Sequence, residues 1–365
     1  MMVLGKINSI YLRTFQQVYI FCYHRIIPET IAKSQMVHRA LYITPETFES
    51  HIRWMIKHGQ ITTTSDLYHV SRFPRFIITF DDGWKDNVTY AVPILKKYHC
   101  SAEFYLSTGN IDSRELFWSE NIGFLINDAL KKHTTEVVAT RLSNLVKALI
   151  TCYGLQEKID VDSSSENLVY LIDRYIETVK YIPIADRDEV LLRLCQELNI
   201  VFHNDGDKLL LDWQEIASMS RSGFRFGTHT HSHTLLDRVD NETIDSELEQ
   251  SKIVLEKILG VEVDSFSYPN GYYQNPYIQS SLRKHGYRYA YTLGSKPFKS
   301  KRDDRYHIPR FLVFEDISRS MDRCFVSYIL RDSIKSIITA AIKSMNMDPE
   351  PNQHRIRINN RRFNK

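Results

Sequence analysis

The chain has 365 residues, 47 of them Lys or Arg against 44 Asp or Glu, for a formal net charge of +3 with 43% hydrophobic residues. That near-neutral balance offers no broad basic face for nucleic acid, and no apolar run approaches the roughly 18 residues of a membrane span. Five widely spaced cysteines, an odd number, suit reduced core thiols rather than a disulfide framework or a cysteine zinc site.

In chain order, Thr44 and Pro45 form a helix start, a hydroxyl that can cap the first turn followed by a proline suited to the first helical position. Phe76-Ile77-Ile78-Thr79-Phe80 reads as a buried strand that ends at Asp81-Asp82-Gly83, where the glycine lets the backbone turn sharply. Adjacent carboxylates repel, so the pair makes sense if a cation lies between them or if one must take a proton. A metal ion would do both. Ala102-Glu103-Phe104-Tyr105-Leu106 is the next strand. About a hundred residues of helical periodicity follow, for example Val137, Val138, Leu142, Leu145, Val146, Leu149 and Ile150, then Val190, Leu191, Leu192, Leu194 and Leu198. They are punctuated at 162–165 and at a turn over 204–207. This predicts a helical insertion over about 112–210 that either walls a substrate groove or only decorates the barrel.

Phe224-Arg225-Phe226-Gly227 reads as a further strand, and three of the chain's 14 histidines, His229, His231 and His233, follow within five positions. Neutral imidazole is the commonest metal ligand. In a helical turn His229 and His233, four apart, would share a face and one ion, while His231 would point elsewhere. Toward the end, apolar residues from Phe325 to Ile342 recur at helical spacing, and a polar tail from Arg355 to Lys365 carries several cations. That basic end can touch an anionic membrane surface, or pack on the body of the protein.

Thr79-Phe80-Asp81-Asp82-Gly83 followed by His229-Thr230-x-x-His233 resembles the polysaccharide deacetylases, metal-dependent carbohydrate esterases of the NodB type. Tyr23-His24, Ile43 to Phe48, Leu211 to Ile216 and Phe266-Ser267-Tyr268-Pro269-Asn270-Gly271 extend the likeness, toward the exopolysaccharide branch. The resemblance implies an α/β fold, a distorted (β/α) barrel with a helical insertion. A length of 365 residues, beyond the ~250 of a typical barrel, leaves room for it. It also implies a catalytic barrel over 1–330 and a C-terminal helix and basic tail over 331–365. Asp81 would be the base, Asp82, His229 and His233 the ligands of one divalent ion, zinc by preference, and His24 the general acid with His307 as the alternative. The backbone at Asn270 would hold the oxyanion, and Tyr268 would contact substrate. Many members carry an arginine where Ser267 stands; Arg310 is a candidate replacement, or else an ordinary surface or salt-bridging arginine.

The expected reaction is hydrolysis of N-acetyl groups on a polysaccharide or lipid-linked sugar in surface-polysaccharide assembly, with no nucleic-acid partner. The opening residues lack a secretory apolar segment, which predicts a cytoplasmic protein, loosely held at the inner membrane through its basic end. Two other functions compete. A glycosidase needs two carboxylates ~5–9.5 Å apart across a sugar bond, whereas Asp81 and Asp82 are adjacent. A binding-only relative, without turnover, is suggested by Ser267.

Overall fold

The computed structural model describes residues 17–157, 159, 167–201, 206–299, 304–315, 319–322 and 324–325. Its strands are β1 (Val18–Tyr23), β2 (Arg25–Ile26), β3 (Tyr42–Ile43), β4 (Gln60–Thr62), β5 (Arg75–Phe80), β6 (Glu103–Leu106), β7 (Arg225–Thr228), β8 (Ser265–Ser267), β9 (Tyr289–Leu293) and β10 (Ile308–Leu312). β1 and β5 are buried at every position, as expected of parallel strands covered on both faces. Seven strands close a parallel barrel in the order β1-β10-β9-β8-β7-β6-β5, and β5 returns to β1 in a continuous register from Val18↔Arg75 to Tyr23↔Phe80. β4 pairs with the first half of β5, and β2 pairs with β3 in a separate ribbon.

The two-residue period of each strand sorts its side chains. Tyr19, Phe21, Phe76, Ile78, Phe80 and Phe104 face outward into a core shared with the helix Pro45–His58. That helix starts as its sequence predicts: the Thr44 hydroxyl accepts from the Thr47 N–H, and Pro45 occupies the first turn. Val18, Ile20, Ile77, Tyr105, Tyr291 and Ile308 fill the barrel interior. The polar Thr79, Ser267 and Arg310 continue that inward face toward the carboxyl ends of the strands.

Between β6 and β7 the helices Trp118–Leu130, Thr135–Cys152, Leu168–Lys180 and Arg187–Leu198 enclose a core of their own, including Ile122, Leu142, Val146, Leu171, Tyr175 and Leu194. The predicted helical insertion is thus a second small core beside the barrel. Gly206 and Asp207, expected in a turn, instead open the short helix Gly206–Leu209. The punctuation at 162–165 and the C-terminal helix and basic tail over 331–365 lie outside the described residues. Among the described residues no helix is long and apolar enough to cross a membrane.

Candidate functional site

The carboxyl ends of β1, β5, β7 and β8 converge, and four non-glycine residues there hold left-handed backbone: Asp82 (φ 77°), Thr230 (φ 62°), His233 (φ 55°) and Asn270 (φ 64°). Such conformations cost of order 1–3 kcal/mol each and persist only where the surroundings enforce them. Asp82 and Gly83 (φ 89°) together make the sharp turn that the sequence anticipates after β5. The helical turn expected over 229–233 does not form. His229 and His233 come together through a loop bent at Thr230 and His233, because the backbone of that loop is held elsewhere. Glu247, from the helix Asn241–Leu259, accepts the N–H groups of His231 (2.7 Å) and Ser232 (2.9 Å). Glu247 lies beyond the histidine motif in sequence, which is why pattern reading missed it.

Asp82, His229 and His233 meet around one point. Asp82 Oδ1 lies 3.4 Å from Nε2 of His229 and 3.4 Å from Nε2 of His233, and all three ligating atoms fall within 4.8 Å of one another. Ligands at ~2.1 Å in tetrahedral array around one ion are separated by about 3.4 Å, so the spacing fits a zinc-like ion. Two of the three are held from behind: His229 Nδ1 lies 2.8 Å from the Ser267 carbonyl, and the Trp84 indole N–H donates to Asp82 Oδ2 at 3.0 Å. These outer partners fix the tautomer of His229 and the aim of Asp82. His231 turns away, its Nδ1 2.9 Å from the Thr108 hydroxyl.

Asp81 is gripped by a buried guanidinium. Arg310, 0% exposed on β10, donates from Nη1 to Asp81 Oδ1 (2.7 Å) and from Nη2 to Oδ2 (2.6 Å). The Ser267 hydroxyl accepts from Arg310 Nη2 (2.7 Å) and donates to Asp81 Oδ2 (3.1 Å), closing a buried ring. Arg310 is therefore no surface arginine. Burial alone would raise the Asp81 carboxyl, but the charge and hydrogen bonds of Arg310, with His229 and His24, bring it down to about 2. Cys22, His24 and Asp81 form a second cluster whose ligating atoms lie within 4.8 Å of one another. The guanidinium already pairing with Asp81 makes that cluster unfavourable for a cation.

His24 follows β1 at the same end of the barrel, its Nδ1 buried with no hydrogen-bond partner. Burial lowers its pKa below 6.5, with Asp82 and Asp81 opposing. His307 is elsewhere. β10 pairs Leu312 with Cys22, so His307, five residues earlier, sits roughly 15 Å toward the amino ends of the strands. It is exposed, its ring 5.6 Å from that of Tyr273. Tyr268 also differs from expectation. It is 1% exposed, stacked on Tyr273 at 4.3 Å, and its hydroxyl donates to the Tyr306 carbonyl. The pleat that turns Ser265 and Ser267 inward sends Phe266 and Tyr268 into the layer between barrel and helices, so the Tyr268 side chain is not placed for substrate contact. Asn270 is exposed in the turn Pro269–Gly271. Trp84 is fully buried and Tyr272 lies 58% exposed.

The insertion reaches this centre. The Phe117 ring lies 4.6 Å from that of His233 and 5.6 Å from that of Trp84. One turn further on, burial raises the Glu120 carboxyl to about 7, with Arg25 opposing and the charge of Asp82 adding to it. Neither group carried a sequence signal.

The ligand geometry predicts a pH effect on metal uptake. Burial works to lower the His229 pKa, but Asp81 and Asp82 outweigh it and hold the imidazole above 6.5. A metal ion held there would compete with protons for that nitrogen, so affinity should weaken as pH falls below the raised His229 value, and loading should release protons. Calorimetry in buffers of different ionisation enthalpy measures both. Affinity constant from about pH 8 to 5.5 would argue against histidine ligation.

A family model for polysaccharide deacetylase matches residues 71–142 and 169–290, more than half the chain. YxkH of Bacillus subtilis (strain 168), a candidate polysaccharide deacetylase, is 34% identical over 74 residues, a match spanning 18% of this chain and 26% of YxkH. The Streptococcus pyogenes deacetylase PplD, solved in complex with acetate, is similar at a TM-score of 0.53 and 16% identity, over 86% of this chain and 97% of PplD. IcaB from Ammonifex degensii is similar at 0.50 and 15% identity, over 85% and 98%. The structural likenesses carry the fold.

Proposed function

We propose, from the premise that this chain belongs to the polysaccharide deacetylase family, that it hydrolyses N-acetyl groups from a polysaccharide or lipid-linked sugar with the help of a divalent ion, zinc by preference. The observation that carries this reading is the convergence of Asp82, His229 and His233 beside an Asp81 held as a carboxylate. A divalent ion bound by those three side chains would polarise the acetamide carbonyl and lower the pKa of a water toward ~7.

The chain's own groups do the rest. Asp81, ionised and fixed by Arg310 and Ser267, takes the proton of the attacking water. A backbone N–H at the Asn270 turn receives the oxyanion, a task that does not depend on the side chain there. His24, charged with a proton from solvent, protonates the departing amine, and Asp81 returns the proton of the water to solvent to close the cycle. With its pKa lowered, His24 is neutral near pH 7 and holds an acquired proton weakly, which favours passing it to the far more basic amine. The reading of a binding-only relative loses its main support, because the charge that Ser267 lacks is supplied at Asp81 by Arg310.

The test is acetate release from N-acetylglucosamine oligomers and lipid-linked N-acetyl sugars by the full chain. Activity should vanish with a chelator and return on adding zinc. Glycan cleavage that survives chelation would instead indicate a glycosidase. Within this scheme His24→Ala should cut acetate release by roughly 10²–10⁴, and His307→Ala should leave it near normal. Full activity in His24→Ala would remove His24 as the acid.

A further inference from the structure

A pocket of about 440 Å³ lies between the segment 29–42 and the insertion helices Trp118–Leu130 and Leu168–Lys180. That volume falls within the range of small-ligand sites. Met36, Tyr42, Ile172 and Ile176 give it apolar walls, and Glu120 lines it from the first turn of the insertion. The Glu120 carboxylate makes no hydrogen bond or ion pair among the described residues, although it is only partly exposed. Its backbone N–H bonds to the Phe117 carbonyl (3.0 Å), and the ring of Phe117 touches His233, so the pocket wall is tied directly to the metal-type cluster. A second group nearby, paired with Asp86 through its Nε, keeps one donor unused. Arg25, 1% exposed and 4.5 Å over the Trp84 ring, has a buried Nη1 with no partner.

We infer that this pocket is a glycan subsite built by the insertion: it seats the N-acetylhexosamine unit next to the one being deacetylated, and Glu120 accepts hydrogen bonds from that unit's hydroxyls. A sugar ring presents apolar C–H faces and a hydroxyl edge, matching these apolar walls and a polar rim in which Lys33, His38 and Arg319 are paired with Glu29, Asp173 and Glu315 while the Glu120 carboxylate is left to accept. Glu120 is then a specificity-determining residue that acts at a distance from the bond broken. An acceptor of this kind, poorly solvated and ionised above about pH 7, is worth about a tenfold to hundredfold change in affinity once charged.

The subsite rests on the deacetylase reading, and the experiment separates the two. Acetate release by the full chain is measured on N-acetylglucosamine tetramer and on 4-nitrophenyl acetate, which occupies the reacting centre alone, for wild type, Glu120→Ala, Glu120→Gln and the pocket-narrowing Ser119→Trp. Glu120→Ala and Ser119→Trp should lower kcat/KM on the tetramer about tenfold or more, mainly through KM, and leave the small ester within about twofold. Glu120→Gln, which keeps one acceptor, should fall between. Equal losses on both substrates, or no loss on either, would overturn the subsite while leaving the deacetylase reading intact. A wild type that hydrolyses neither substrate would overturn the deacetylase reading. The subsite is then decided by calorimetric binding of the tetramer, which Glu120→Ala must weaken about tenfold.

Discussion

Asp81→Asn should abolish most turnover and also weaken the fold. Removing the proton acceptor is expected to reduce acetate release by roughly 10²–10⁴ with metal content unchanged. The same change leaves Arg310 as a charge at 0% exposure without its carboxylate. Breaking one side of a buried pair costs about 3–5 kcal/mol. Denaturant unfolding and acetate release on one preparation check both effects. Near-normal turnover would remove Asp81 as the base, whereas normal stability would mean that Arg310 finds another partner.

Arg310→Met is the complementary case, and its signature lies in the pH profile. Without the guanidinium, burial dominates at Asp81, and the carboxyl that now sits at about 2 moves upward. A protonated Asp81 cannot accept the water's proton, so the acid limb of kcat/KM should shift to higher pH, with reduced activity near pH 7. Arg310→Lys should restore part of the profile by supplying the charge without the two-pronged geometry. The double variant Asp81→Asn with Arg310→Met should be more stable than the sum of the single losses allows, because it leaves no unpaired charge. An unchanged acid limb in Arg310→Met would show that Arg310 does not set the state of Asp81.

Much of this centre could be read from the chain because its chemistry is local. Asp81 and Asp82 follow one strand and His229 and His233 another, so spacing alone brings each pair to a barrel mouth. The insertion was legible from periodicity, and Val138, Leu142, Leu145 and Leu149 are buried as that period requires. What depends on long-range register was not legible. Arg310 meets Asp81 because β10 lies beside β1 and β1 beside β5, a relation no local pattern encodes. Tyr268 was misplaced for a related reason: in Phe266-Ser267-Tyr268 either alternate face could be the inner one until the partners of β8 were known. The bend at 229–233 was misread because tethers from Glu247 override the helical spacing of the histidines.

The closure of the barrel has a consequence for how the protein comes to life. β1 is zipped between β5 and β10, so the pairings that finish the barrel join residues nearly three hundred positions apart. Contacts of such separation form late, since the chain entropy lost in closing them is repaid only once they exist. His24 arrives with the first of these strands and Arg310 with the last. Until Arg310 is seated, Asp81 lacks the cation that keeps it charged in the interior. A nascent chain that has already made its histidine loop is therefore still unable to perform the proposed chemistry, and competence would come in one late step with the docking of β10.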